Sequence, residues 1–295
     1  MPTVPDLSPL HPPLTTWYRH NARTLPWRNP DCDAWAVLVS EIMLQQTPVQ
    51  RVVPVWQSWL ERWPSPTALA ADSPGEAVRM WGKLGYPRRA LRLHAAAVEC
   101  DSRFAGHVPD NYGDLRSLPG IGDYTAAAVL AFAYGKRALV LDTNVRRVLA
   151  RVLDGTEFAR PSVTTAERDR AEAVLPDNDT AAALWSIALM ELGALVCTSS
   201  SPTCDMCPVA ANCRWLAAGK PSYDGPARTV QRFAGTDRQV RGRLLDVVRG
   251  TDSAVPKSAL DIVWPDAVQR ERALDSLVSD GLLDPLPDGT YALPK

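Results

Sequence analysis

Between Leu14 and about Leu195, apolar residues recur at three- and four-residue spacing, the signature of helices with one buried face. "PVWQSWLERW", "PGEAVRMWGKL", "RALRLHAAAVECDSRF", "YTAAAVLAFAYG" and "TAAALWSIALMELGALV" all follow this rule, with Pro and Gly punctuating the gaps. No run there alternates as a strand would. One segment breaks the polarity rule. In "WAVLVSEIMLQQTPVQRVV" the residues Val37, Leu38, Glu41, Ile42 and Gln45 share a helical face, which places the carboxylate of Glu41 among apolar neighbours. Burial favours the protonated form of such a group.

The pattern changes after residue 217. Residues 218–236 are rich in Gly, Pro and polar residues and read as a linker. From 237 to 295, "DRQVRGRLLDVVRG", "PKSALDIVW" and "DAVQRERALDSLVSDGLL" predict three short helices. "LLDPLPDGTYALP" predicts two strands around a Pro-Asp-Gly turn, so the unit reads as a winged-helix-like module. The fold class is mainly α.

At 295 residues and 46% hydrophobic content the chain is long enough for two or three domains. Ten tryptophans, seven of them before residue 82, supply large buried surfaces. No apolar run has the length of a membrane span, and the proline-rich start lacks a signal-peptide pattern. A cytoplasmic protein, monomeric and without a membrane partner, is expected. The net charge of −1 is uninformative, but its distribution is not. "YPRRALRLH" and "NVRRVLAR" are basic. Between Pro226 and Gly250 six arginines face two aspartates, whereas Thr251 to Lys295 has four basic and eight acidic residues. Phosphate contacts favour the first of these stretches. The second fits a structural role or a protein partner for the C-terminal module.

Three constellations carry chemistry. Cys197, Cys204, Cys207 and Cys213 form C-x6-C-x2-C-x5-C directly after a helix. Structural zinc usually takes two paired knuckles, so four thiolates in one short loop fit a [4Fe–4S] cluster better, with zinc and free thiols as the alternatives. "LPGIGDYTAAAV" places Gly120 and Gly122 in a tight turn, expected at φ > 0, before a helix whose first N–H groups can hold a phosphate. Alone, it reads first as a plain helix–turn–helix corner. Asp142, in "VLDTNVRRVLAR", precedes a helix and reads as an N-cap. Beside Glu41 it becomes a candidate second carboxylate of the kind glycosidic cleavage uses.

"SEIMLQQT", "WGKLGY", "LPGIGDYTAAAV", "LDTNVRRVLAR" and the cysteine set, in that order, resemble the MutY family of adenine DNA glycosylases, in the helix–hairpin–helix superfamily that includes endonuclease III. The resemblance covers residues 14 to 217. It implies a glycosylase region over 1–217, with a six-helix barrel at about 33–141. The N-terminal helix and 142–217 would form the cluster-bearing domain. It implies double-stranded DNA with a mismatch as partner, base excision repair as the process, and association with the nucleoid.

The resemblance also assigns roles. Glu41 is the general acid that protonates adenine on N7. Asp142 stabilises the oxocarbenium-like sugar. Gln45, Gln46 and Asn144 are DNA contacts, with Arg88 and the turn glycines Gly120 and Gly122. Tyr86 is the wedge inserted beside the partner base. Tyr124 stands where the bifunctional endonuclease III branch has a lysine. A phenol forms no imine, so hydrolysis without strand cleavage is expected.

Two departures are visible. Pro87, Arg88 and Arg89 follow the wedge tyrosine where a second aromatic is common in the family. The residues after the linker are too few for the Nudix-like domain that most of the family carries, so this is a short form. Two other readings compete with adenine release: a related glycosylase removing thymine or uracil opposite G, and a non-catalytic DNA-binding or redox-sensing protein. Glu41 and Asp142 together argue against the last, since binding alone needs neither.

Overall fold

The computed structural model describes residues 8–225 and 233–295. Part of the linker, with Arg228 and Arg232 of the basic stretch, lies outside the described residues. The helices in chain order are α1 (His11–Asn21), α2 (Ala34–Leu44), α3 (Val49–Arg62), α4 (Pro66–Ala70) and α5 (Pro74–Trp81). Then follow α6 (Arg88–Phe104), α7 (Tyr112–Ser117), α8 (Asp123–Phe132), α9 (Thr143–Leu149) and α10 (Thr165–Ala173). α11 (Asp179–Leu195) and α12 (Arg214–Ala217) complete the main region. The C-terminal module contains α13 (Asp237–Arg249), α14 (Lys257–Asp261) and α15 (Ala267–Ser279), with β1 (Val255–Pro256), β2 (Asp284–Pro285) and β3 (Thr290–Ala292).

Local chemistry starts these helices where the pattern says it should. Asp33, Ser65, Ser73, Asn111, Asp142, Thr164, Asn178 and Asp266 each accept a hydrogen bond from a first-turn N–H of the helix they precede. The hairpin in the module is present as β2 and β3. A third strand, β1, pairs with β3 through Val255 and Tyr291. Its two residues, one of them proline, are too short to show any alternation in sequence.

The chain divides into two compact units. One comprises Met1–Cys32 and Gly122–Ala227, the other Asp33–Ile121 and Arg228–Lys295. The break falls at Ile121/Gly122, and α8 packs on α11 within the first unit. The C-terminal module groups with the second unit. It is hydrogen-bonded to α5, with the Gly75 N–H donating to Pro294 O at 2.8 Å and Arg79 donating to Thr251 O at 2.8 Å.

In the second unit, α2 is buried from Trp35 to Met43 on every side. The tryptophans hold it: Trp56 Nε1 donates to Ala36 O at 2.9 Å and Trp35 Nε1 to Trp63 O at 3.0 Å. Trp59 packs edge-on against both Trp63 and Trp81. The first unit buries Leu14, Val145, Val148, Trp185, Leu189 and Leu192 in one core, against which Cys197, Cys207 and Cys213 pack. Glu191, on α11, is fully buried in the same unit. Its carboxylate accepts from Arg23 N, Nε and Nη2, each at 2.8 Å, and from Arg28 Nη2 at 2.7 Å.

Candidate active site

Glu41 lies on α2 and is 5% exposed, flanked on its face by Leu38 and Ile42 as the spacing predicts. Gln45 does not continue that face. The helix ends at Leu44, Gln45 has φ −57° and ψ 109°, and Gln46 has φ +57°. Arg89 explains the ending. Its buried guanidinium donates to the carbonyls of Ile42 (2.8 Å), Met43 (3.2 Å) and Gln45 (2.5 Å), capping carbonyls that the helix leaves unpaired. The same group donates to Gly85 O at 3.0 Å and to Thr47 Oγ1 at 3.0 Å. Arg89 therefore joins the end of α2 to the loop that carries Tyr86. Sequence reasoning passed over it and singled out its neighbour, Arg88, which the structure pairs with Asp280 at 3.2 Å.

The Tyr86 loop is backbone-strained. Gly82, Gly85 and Tyr86 all have positive φ, and Tyr86, at +49°, is one of four described non-glycine residues in that region. Gln46 is another. Such conformations persist where surroundings over-determine them, and they gather at ligand-contacting positions. The surroundings here are explicit: Trp81 Nε1 donates to Gly85 O at 2.9 Å, Thr47 Oγ1 to Leu84 O at 3.1 Å, and Arg51 to Lys83 O. They leave the Tyr86 ring 44% exposed. An aromatic presented in this way on a rigid loop can enter a base stack; one packed in the core cannot.

Gly120 has the expected left-handed φ, +78°, and a Cβ there would stand 2.7 Å from Arg92 Cβ. Gly122 corrects the expectation. It is the N-cap of α8 with extended φ −90° and ψ 176°, so its value to the turn is not conformational freedom. Tyr124 is half-buried in the first turn of α8.

In the first unit, Asp142 is the N-cap of α9, accepting from Val145 N at 2.6 Å. Asn144 Nδ2 donates to its other oxygen at 2.9 Å. Asn144 Oδ1 in turn accepts from Arg147 at 2.8 Å, so this side chain serves to orient the carboxylate. Burial pushes the Asp142 carboxyl above its ordinary range, against the opposing pull of these bonds and of Arg147. Arg147 also donates to Gly193 O at 2.7 Å and to Cys197 O at 2.8 Å, which links the carboxylate's support to the cysteine loop.

The four cysteines line one small apolar cavity with Val148, Leu192 and Val196. Arg151, 1% exposed, donates to Cys197 Sγ at 3.3 Å and to the carbonyls of Thr198 and Ser199. Burial pushes the Cys207 thiol up to about 11, with the other three cysteines adding to the effect, and burial raises Cys213 as well, with Cys197 and Cys204 adding to it. Among the described residues no three His, Cys, Asp or Glu side chains close to a single-ion site. The donor set, four soft thiols facing a common space with a guanidinium donating to one sulfur, fits a multi-iron cluster.

A helical fold with a strained aromatic loop, a buried helical carboxylate and a four-cysteine loop defines the class of base excision repair glycosylases built around a helix–hairpin–helix. Residues 39–172 match the family model described as HhH-GPD superfamily base excision DNA repair protein. The chain belongs to the adenine DNA glycosylase family, the MutY branch of that superfamily. It is 54% identical to an adenine DNA glycosylase of Mycolicibacterium smegmatis over 98% of this chain and 96% of that protein. It is 50% identical to one of Mycobacterium tuberculosis over 95% and 92% respectively. A solved thermostable thymine-DNA glycosylase superposes with a TM-score of 0.62 at 26% identity, covering 70% of this chain and 94% of its own. Among the described residues no helix is long and apolar enough to cross a membrane.

Proposed function

We propose that this chain releases adenine from double-stranded DNA where it faces 8-oxoguanine or guanine, as a monofunctional glycosylase in base excision repair. The observation that carries this reading is the near full-length similarity to adenine DNA glycosylases, which extends through the C-terminal module. Glu41 donates a proton to adenine N7, so the C1′–N9 bond breaks with a neutral leaving group. Asp142 supports the cationic sugar with its charge, and water completes the hydrolysis. Tyr86 fills the space beside the partner base when adenine is extruded, with Gln45 and Gln46 entering the duplex nearby. Cys197, Cys204, Cys207 and Cys213 hold a [4Fe–4S] cluster, which cross-links the loop after α11. Purified protein is expected to contain iron and acid-labile sulfide in equal amounts, lost together when Cys204 is changed to Ser. Zinc in their place would refute the cluster.

Single-turnover base release on one duplex sequence tests the function. The duplexes present A opposite 8-oxoguanine, G or C, and T or U opposite G. Adenine release opposite 8-oxoguanine and G is expected, with the strand left intact. Borohydride should trap no protein–DNA adduct in good yield, because Tyr124 cannot form an imine. Thymine or uracil release instead would move the chain to the sister branch that shares its fold.

A further inference from the structure

The C-terminal module reaches the Tyr86 loop through its first helix, α13. Arg249, at the end of α13, has a side chain only 10% exposed and donates to Gly82 O, the first residue of the strained loop, at 2.6 Å. Arg79 on α5 donates to the carbonyls of Arg249 and Thr251. Gly75 lets the chain end approach: a Cβ there would fall 2.4 Å from Pro294 O. Asp280, at the end of α15, accepts from Arg88 and from Arg241 (2.6 Å), tying α6 to α13. These contacts fasten the module to the elements on either side of the loop, and one of them reaches the loop itself.

At the start of α13, the exposed Arg238 places its guanidinium 5.5 Å from the centroid of the Tyr86 ring. Arg89 lies 5.4 Å from the same centroid but is buried and committed to carbonyls. Arg238 thus stands at the surface where the aromatic is presented. An exposed aromatic beside an exposed guanidinium is the pairing that nucleic acid binding uses, one group for stacking and one for phosphate.

We propose that α13 forms part of the DNA interface, with Arg238 binding a backbone phosphate of the strand that Tyr86 enters and Arg249 holding the Tyr86 loop in place. The module is then a positioning element for the wedge. The inference rests on the reading of Tyr86 as the wedge. Arg238 sits in the basic stretch before Gly250, and the acidic surface of the remaining module faces no such demand.

The test measures binding of full-length protein to an A·8-oxoguanine duplex at several salt concentrations, for wild type, Arg238→Gln, Tyr86→Ala and the double variant, with thermal unfolding of each. For Arg238→Gln, Kd at low salt should rise about five- to tenfold. The slope of log Kd against log salt should shrink by about 0.9, the value for one phosphate contact, at unaltered Tm. The double variant should lose less than the sum of the two single losses, because the residues act together. An unchanged Kd and slope for Arg238→Gln, with Tyr86→Ala impaired, overturns this proposal alone, as do strictly additive losses. An unimpaired Tyr86→Ala removes the wedge reading, and the proposal with it.

Discussion

Replacing Glu41 by glutamine is expected to slow single-turnover adenine release by two to four orders of magnitude while mismatch binding persists, since a positioned general acid contributes about that much. Glutamine keeps the volume and hydrogen-bonding capacity of a side chain that is 5% exposed in the buried stretch of α2, so packing should survive. It cannot donate a titratable proton. Asp142→Asn is the matched comparison. Asparagine is as good an N-cap as aspartate, so α9 should keep its start while the carboxylate charge is gone. Both variants should unfold near the wild-type temperature. A Glu41→Gln protein with wild-type release rates would sink the acid role, and a similarly active Asp142→Asn would leave that aspartate as a cap only.

The largest effect on stability is expected at Glu191. Changing it to alanine leaves Arg23 and Arg28 without the carboxylate that both engage and opens a hole in the α11 core. Removing one partner of a buried pair costs about 3–5 kcal/mol. The same residue sets an acid limit. Burial alone would raise the carboxyl, but the hydrogen bonds from Arg23 and Arg28 prevail and hold it at about 2 against an ordinary 4.5. A depressed folded-state pKa means stability that is fully present above pH 4.5 and is lost as pH falls toward 2. The difference corresponds to about 3 kcal/mol. Denaturant melts from pH 7 to pH 2.5 should show wild type losing stability across that window, with the loss markedly smaller in Glu191→Gln. Parallel curves for the two proteins would show that this pair contributes nothing to the acid limit.

Glu41 and Glu191 also mark the boundary between what pattern reveals and what packing decides. Each is a lone carboxylate in an apolar helical run, "VLVSEIML" and "IALMELGAL", and periodicity treats them alike. Family resemblance gave Glu41 a role. Nothing in the sequence gave one to Glu191, because its partners lie 168 and 163 positions away. Arg89 was missed for a similar reason. Its importance comes from carbonyls more than forty residues earlier in the chain, and carbonyls leave no trace in residue identity.

The helices, their caps, the cysteine loop and the hairpin of the C-terminal module follow from local chemistry: spacing that keeps one face apolar, short polar side chains before a first turn, and Pro-Asp-Gly at a bend. These the sequence determines by itself, since each involves neighbours within a few residues. The end of α2 at Leu44, the division at Ile121/Gly122 and the seating of the module on α5 depend on groups remote in the chain. Only the tertiary structure decides them: Arg89 donates to the carbonyls at the end of α2, α8 packs on α11, and Arg79 and Arg249 bond to carbonyls remote in the chain.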